Sequence, residues 1–141
     1  MAAIGKAEWN GGLKEGSGSF TAGDAMSGEF SYKSRFEDGP GANPEQLVAG
    51  AHASCFSMAL SLVLGEDGVT PDSIKTEAKV TLRLLDEGPT ITRIDLSTVG
   101  QVPGIDEAAF VEAANKAKEG CVISRALAGV PEITLEATLE S

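Results

Sequence analysis

The chain has 141 residues, 42% of them hydrophobic and 5% aromatic, with 11 basic residues against 21 acidic ones and a formal net charge of −10. That length fits a single domain, spanning residues 1–141, that can bury a core without a metal or disulfide staple. So acidic a chain is repelled by phosphate backbones and anionic lipid surfaces, so neither nucleic acid nor a membrane surface is an expected partner, and few aromatics are available to stack on bases.

Met1-Ala2-Ala3-Ile4-Gly5-Lys6 lacks the basic-then-apolar order of a signal peptide. The first forty residues are rich in Gly and Ser, with short apolar runs over 4–9, 17–21 and 28–34 that read as three strands joined by glycine turns. Asp38-Gly39-Pro40-Gly41 breaks regular structure. Asn43-Pro44 then reads as a helix start: Asn caps free amides, Pro at the first helical position sacrifices no hydrogen bond, and Gln46 completes a capping-box pattern.

The 20 residues from Gln46 to Gly65 are uncharged, long enough to raise the question of a membrane span. Gln46, Gly50, His52, Ser54, Ser57 and Ser61 interrupt the stretch, and Glu45 and Glu66 flank it where Lys or Arg would be expected. A buried helix of a cytoplasmic protein is the reading. Leu47, Ala51, Cys55, Met58 and Leu62 form one stripe, with Val48, Phe56, Ala59 and Val63 beside it.

Ile74 to Leu84 alternates as a half-buried strand, Asp86-Glu87-Gly88-Pro89 turns, and 91–99 returns as a hairpin partner with a phase slip near Arg93. Asp106 caps a second helix through Phe110, Ala113, Ala114 and Ala117 that stops at Gly120, immediately before Cys121. A short turn of helix over 124–128 and a last strand over 133–139 follow. The order β, β, β, α, β, β, α, β has too few crossovers for a doubly wound sheet and suggests an α+β sheet with helices on one face.

No Gly-rich phosphate loop precedes a helix, and one histidine with two cysteines lacks metal-ligand spacing. Chemistry is left to Cys55, mid-helix, and Cys121, past a helix end. In a reducing cytoplasm the two are free, catalytic or redox-cycling rather than a permanent bridge. Each also has a plain reading as a small buried hydrophobe. A thiol held by a helix and another at an irregular junction suit a disulfide that forms and breaks in each cycle. The helix dipole helps little beyond the first turn, so a reactive Cys55 needs a cation. Arg35, always charged and able to donate several bonds, is one candidate beside its reading as a surface arginine. His52, three residues before Cys55, is a candidate base or an ordinary helix histidine.

Asn43-Pro44-Glu45-Gln46-Leu47 followed by Ala51-His52-Ala53-Ser54-Cys55-Phe56-Ser57-Met58-Ala59-Leu60-Ser61 closely resembles the OsmC family of thiol-dependent peroxidases. The likeness extends through Ser34-Arg35-Phe36-Glu37, Val102-Pro103-Gly104-Ile105-Asp106, Ala117-Lys118-Glu119-Gly120-Cys121 and Ile133-Thr134-Leu135. It lies nearer the OsmC branch than the organic-hydroperoxide-resistance relatives. The resemblance implies an α+β fold, an antiparallel sheet with a long buried central helix and a second helix, in an intertwined homodimer with no metal or bound cofactor. It also implies that Cys55 is the peroxidatic cysteine, Cys121 the resolving one, Arg35 the catalytic arginine and Glu45 its holder. Many relatives carry proline directly after the second cysteine, where this chain has Val122.

The implied activity is reduction of organic hydroperoxides, and of hydrogen peroxide less well, through a Cys55 sulfenic acid and a Cys55–Cys121 disulfide. An external dithiol, a lipoylated protein in this family, would recycle it. Phe36, Phe56 and Met58 fit an apolar mouth or the core. Glu45 and Cys55 are ten residues, about 15 Å, apart on one expected helix. A two-fold axis near Gly50 would therefore pair Cys55 and Cys121 of one chain with Arg35 and Glu45 of another. The alternative is a non-catalytic dimeric module with buried thiols that binds a small molecule or a partner.

Overall fold

The computed structural model describes residues 1–140. They form two compact units, Met1–Leu47 and the remainder from Val48, described in turn.

The first unit opens with an antiparallel sheet of β1 (Gly5–Asn10), β2 (Ser17–Ala22) and β3 (Met26–Phe30), in the order β1-β2-β3. Its Gly- and Ser-rich strands bury little. One aromatic cluster packs on it: Trp9 and Phe30 pair across from Gly18, with ring centroids 5.5 Å apart. A Cβ at Gly18 would lie 2.6 Å from the Phe30 ring and 2.8 Å from Trp9, so only glycine fits.

The third strand stops short of its expected end. Tyr32–Phe36 is a helix, α1, and the reason is local. Ser31 and Ser34 make a reciprocal capping box: the Ser34 amide donates to Ser31 Oγ (3.1 Å) and the Ser31 amide to Ser34 Oγ (2.8 Å). Those two bonds outweigh the β-like alternation of Phe30 and Tyr32. The long helix α2 (Pro44–Glu66) begins where expected, the Gln46 amide donating to Asn43 Oδ1 (2.8 Å) and the Asn43 amide to Gln46 Oε1 (3.2 Å).

The second unit carries most of α2 and a sheet of order β4-β5-β6, built from β4 (Ser73–Leu85), β5 (Gly88–Gln101) and β6 (Glu132–Leu139). The β4–β5 hairpin shifts register where Thr81 faces Arg93 and Leu82 faces Ile91, so Thr92 is the extra residue behind the phase slip near Arg93. The bulge lets Ile91 pack against the core with Ile94 and Leu96. The last strand corrects the expectation of an antiparallel sheet: β6 pairs with β5 in parallel. The cause is the crossover formed by α3 (Glu107–Gly120) and α4 (Val122–Ala126), which brings the chain back to start beside the same end of β5.

Phe110, Ala113, Ala114 and Ala117 form the buried face of α3, each at helical spacing from the last. Phe110 lies against Gly100, where a Cβ would collide with its ring. Phe56, Leu60 and Leu64 of α2 join this core with Ile94, Leu96 and Val102. Burying each large side chain contributes roughly 1.5–3 kcal/mol.

The expected burial of α2 on several sides holds for one side of the described chain. Met58 is 75% and Leu62 66% exposed. With 23 residues α2 is long and apolar enough to cross a membrane, yet polar side chains tie it to its neighbours. Ser57 Oγ donates to Thr76 Oγ1 on β4 (2.8 Å), which lies 3.0 Å from Thr98 Oγ1 on β5.

Candidate functional site

Arg35 and Glu45 meet in the first unit. Arg35 Nη2 and Nε donate to Glu45 Oε1 at 2.7 and 3.1 Å, and Nε also approaches Oε2 at 3.3 Å. The Glu45 side chain is 10% exposed and that of Arg35 39%. Among the described residues no hydrogen bond occupies Arg35 Nη1, so the guanidinium has a free edge for an anion or a peroxide oxygen.

What fixes this pair is a set of polar contacts that sequence reasoning did not single out. Ser34 Oγ donates to the Ala42 carbonyl (2.7 Å) and Asn43 Nδ2 to the Ser34 carbonyl (3.0 Å). Together they stitch α1 to the start of α2 on either side of the Asp38–Gly41 break. The spacing Ser31-x-x-Ser34 was the available signal. Phe36 lies under Arg35, its ring 5.3 Å from the guanidinium carbon.

Cys55 and Cys121 meet in the second unit, both as free thiols. Cys55 projects from the middle of α2 and is half-buried. Cys121 is 1% exposed at the joint between two helices. Its amide donates to the Ala117 carbonyl (2.8 Å), ending α3, and its carbonyl accepts from the Arg125 amide (3.0 Å), starting α4. Gly120 is the last helical residue, so the stop is the extended conformation of Cys121 itself (φ −61°, ψ 124°).

Burial pushes the Cys121 thiol up, but favourable dipoles outweigh it and leave its pKa below the usual cysteine value. The largest is the Ser124 backbone N–H, followed by the Cys55 thiol, the Ser124 hydroxyl and the Ile123 backbone N–H. No conventional cap bond closes onto the sulfur, so the amides act on it as oriented dipoles. The contribution of Cys55 to this lowering places the two thiols beside each other.

His52 is fully buried. Its Nε2 lies 2.7 Å from Ser124 Oγ on α4, and its Nδ1 is buried without a partner among the described residues. Desolvation lowers its pKa, so the ring is neutral near pH 7. Its partner is thus a hydroxyl from α4, which sequence reasoning missed because the two residues are 72 positions apart. Phe56 is fully buried in the core and so does not contribute to an apolar mouth.

The family model described as OsmC-like protein matches residues 37–136, a span that holds Glu45, Cys55 and Cys121. The chain is 45% identical over 139 residues to Peroxiredoxin OsmC of Escherichia coli (strain K12), covering 97% of this chain and 96% of that protein. Among solved structures it is similar to the organic hydroperoxide resistance protein OhrB of Bacillus subtilis, with a TM-score of 0.68, 26% identity and coverage of 97% and 98%. It also matches an OsmC-like protein from Mycoplasma pneumoniae with a TM-score of 0.78 at 16% identity, over 100% of this chain and 99% of that one. The last likeness is one of fold.

Proposed function

Because the chain belongs to the OsmC-like protein family, we propose that it is a two-cysteine peroxidase that reduces organic hydroperoxides to alcohols. The names of its relatives, a peroxiredoxin and an organic hydroperoxide resistance protein, support the reaction class. The observation that carries the reading is the juxtaposition of Cys55 with Cys121, whose ionised form is favoured.

The Cys55 thiolate attacks the distal oxygen of the hydroperoxide. Its sulfur gains that oxygen, the O–O bond breaks, and the alkoxide leaves as the alcohol after taking up a proton. Cys55 is now a sulfenic acid. Cys121 displaces its hydroxyl, water leaves, and a Cys55–Cys121 disulfide remains. Exchange with an external dithiol, carried by a lipoylated protein, restores both thiols. The free edge of Arg35, held by Glu45, stabilises the Cys55 thiolate and orients the peroxide.

Glu45 and Cys55 lie ten residues, about 15 Å of helical rise, apart on the continuous α2. Each site therefore joins Cys55 and Cys121 of one subunit to Arg35 and Glu45 of its partner in a homodimer. The exposed Met58 and Leu62 of α2 and the small residues Ala49, Gly50 and Ala53 suit close apposition of two such helices. The acidic chain acts in the cytoplasm, where its thiols stay reduced between turnovers.

Titration of free thiols before and after one equivalent of cumene hydroperoxide tests the reading. Loss of both thiols per chain and a mass decrease of about 2 Da, the two hydrogens given up on disulfide formation, is the expected result. Two thiols remaining would leave a non-catalytic module and overturn it.

A further inference from the structure

The peroxide step has a cation and a carboxylate assigned to it, whereas the second step, attack of Cys121 on the sulfenic acid, has no assigned assistance. His52 is a buried titratable group that the proposed chemistry leaves unused. Among the described residues its side chain makes one polar contact, with Ser124 Oγ at 2.7 Å. Ser124 is itself buried and stands three residues after Cys121, which caps the N-terminus of α4. A side chain at that spacing stands beside the cap residue across the first helical turn, and the Ser124 hydroxyl is among the groups that favour the Cys121 thiolate.

The Nδ1 without a partner among the described residues favours one direction for these bonds. A buried N–H without an acceptor is rarer in proteins than an acceptor left incompletely satisfied. The neutral ring therefore carries its proton on Nε2 and leaves a bare lone pair on Nδ1. With Nε2–H donating to it, the Ser124 oxygen acts as acceptor toward His52, and its own proton is free for the sulfur of Cys121.

We propose that His52 and Ser124 are positioning residues for the resolving step: His52 holds the Ser124 hydroxyl so that it donates to the Cys121 sulfur and favours the thiolate that attacks the Cys55 sulfenic acid. This rests on the two-cysteine reading above. In the step, a lone pair of the Cys121 sulfur forms the S–S bond while the S–O bond of Cys55 breaks. The departing hydroxide takes up the proton that Cys121 released, and water leaves. No further oxidant or reductant enters.

The experiment separates the thiol from the turnover. In a Cys55→Ser background, thiolate absorbance at 240 nm titrates Cys121 whether or not the protein is a peroxidase. No charged side chain contributes to the Cys121 shift, and Ser124, Ile123 and Cys55 are the groups that do. Losing a hydrogen bond to a charged sulfur, Ser124→Ala and His52→Ala should each raise the midpoint by about one unit, and Ser124→Thr should restore it.

In the two-cysteine chain, stopped-flow with cumene hydroperoxide should show the first step changed less than about twofold in Ser124→Ala. Decay of the sulfenic acid should slow by up to about tenfold, the loss of thiolate that a one-unit rise in the midpoint implies. Ser124→Thr and His52→Gln, which keep a donor or a hydroxyl at the contact, guard against a variant that fails to fold. An unchanged midpoint in Ser124→Ala, or equal slowing of both steps, would overturn the pair. Absence of peroxide consumption by the unmodified chain would instead overturn the peroxidase reading and leave the titration standing.

Discussion

Under the proposed function, the Arg35–Glu45 pair and the Cys55–Cys121–Ser124–His52 cluster would solve the same problem, favouring an anionic sulfur, with different physics. The pair is two formal charges, partly exposed, joined by bonds of 2.7, 3.1 and 3.3 Å. An ion pair so placed adds little to folding, about 0–1 kcal/mol. Its value is a cation that no working pH neutralises. The cluster is buried apart from the half-buried Cys55 and uses neutral dipoles: two amides, a hydroxyl, a thiol and a neutral imidazole. Burial makes each dipole count for more and leaves one nitrogen, His52 Nδ1, without a partner among the described residues. A permanent charge suits the step in which peroxide arrives from solvent, and a shielded set of dipoles suits the step in which one sulfur attacks another.

Substituting within the cluster breaks it most completely. Cys55→Ser should abolish peroxide consumption, while Cys121→Ser should consume about one equivalent and stall as a sulfenic acid. Mass spectrometry should find one added oxygen on Cys55 in the stalled chain. Full steady-state turnover by Cys121→Ser with Cys55 unmodified would refute the two-cysteine scheme. Next comes the pair. Arg35→Ala removes a charge-assisted bond worth roughly 1.5–3 kcal/mol and should slow the peroxide step about ten- to a hundredfold. His52→Ala should slow that same step far less, and a larger loss for His52→Ala would reassign the base.

The two regions were not equally legible in the sequence. Asn43 and Gln46 announced the start of α2 because a capping box is local, and both of its bonds are present. The phase slip near Arg93 likewise marked the bulge. The alternation of Phe30 and Tyr32 carries the strand reading on to Ser34, over the first turn of α1, and the decisive Ser31–Ser34 exchange competes at the same scale. The direction of β6 was hidden for a different reason: alternation places side chains on faces and says nothing about which way a strand runs. Ser124 was invisible because its meaning depends on a histidine 72 positions away. Local hydrogen bonding is written into short spacings, whereas contacts made by packing helices onto a sheet are not.

Mixed dimers sharpen the comparison by asking whether pair and cluster work in trans. A heterodimer of Cys55→Ser and Arg35→Ala subunits has one intact site and one doubly broken site if sites are shared between subunits. It should regain about half of the unmodified activity, since one of two equivalent sites survives. If each site drew all four residues from one chain, both sites of the heterodimer would be inactive, and failure to complement would rule out sharing.

The smallest expected effect separates the two regions by their response to acid. His52 is buried and its folded-state pKa is pushed down by desolvation from the ordinary value of 6.5. Above that value the ring is neutral in both folded and unfolded chains, so it gives stability no pH dependence. Below it the unfolded chain takes up a proton that the folded chain resists. Stability present above the unfolded pKa is therefore lost as pH falls toward the folded one. One proton sets the upper limit, about 1.4 kcal/mol per pH unit. Partial solvent access reduces it. His52→Gln keeps an amide beside Ser124 and cannot titrate, so urea unfolding from about pH 7 to 5 should give a flatter stability profile than the unmodified chain. Carboxylates titrating in the same window are common to both proteins and cancel in the difference. Identical slopes for His52→Gln and the unmodified chain would mean that the ring ionises in the folded protein as easily as in water, and would remove the basis for a neutral imidazole in the cluster.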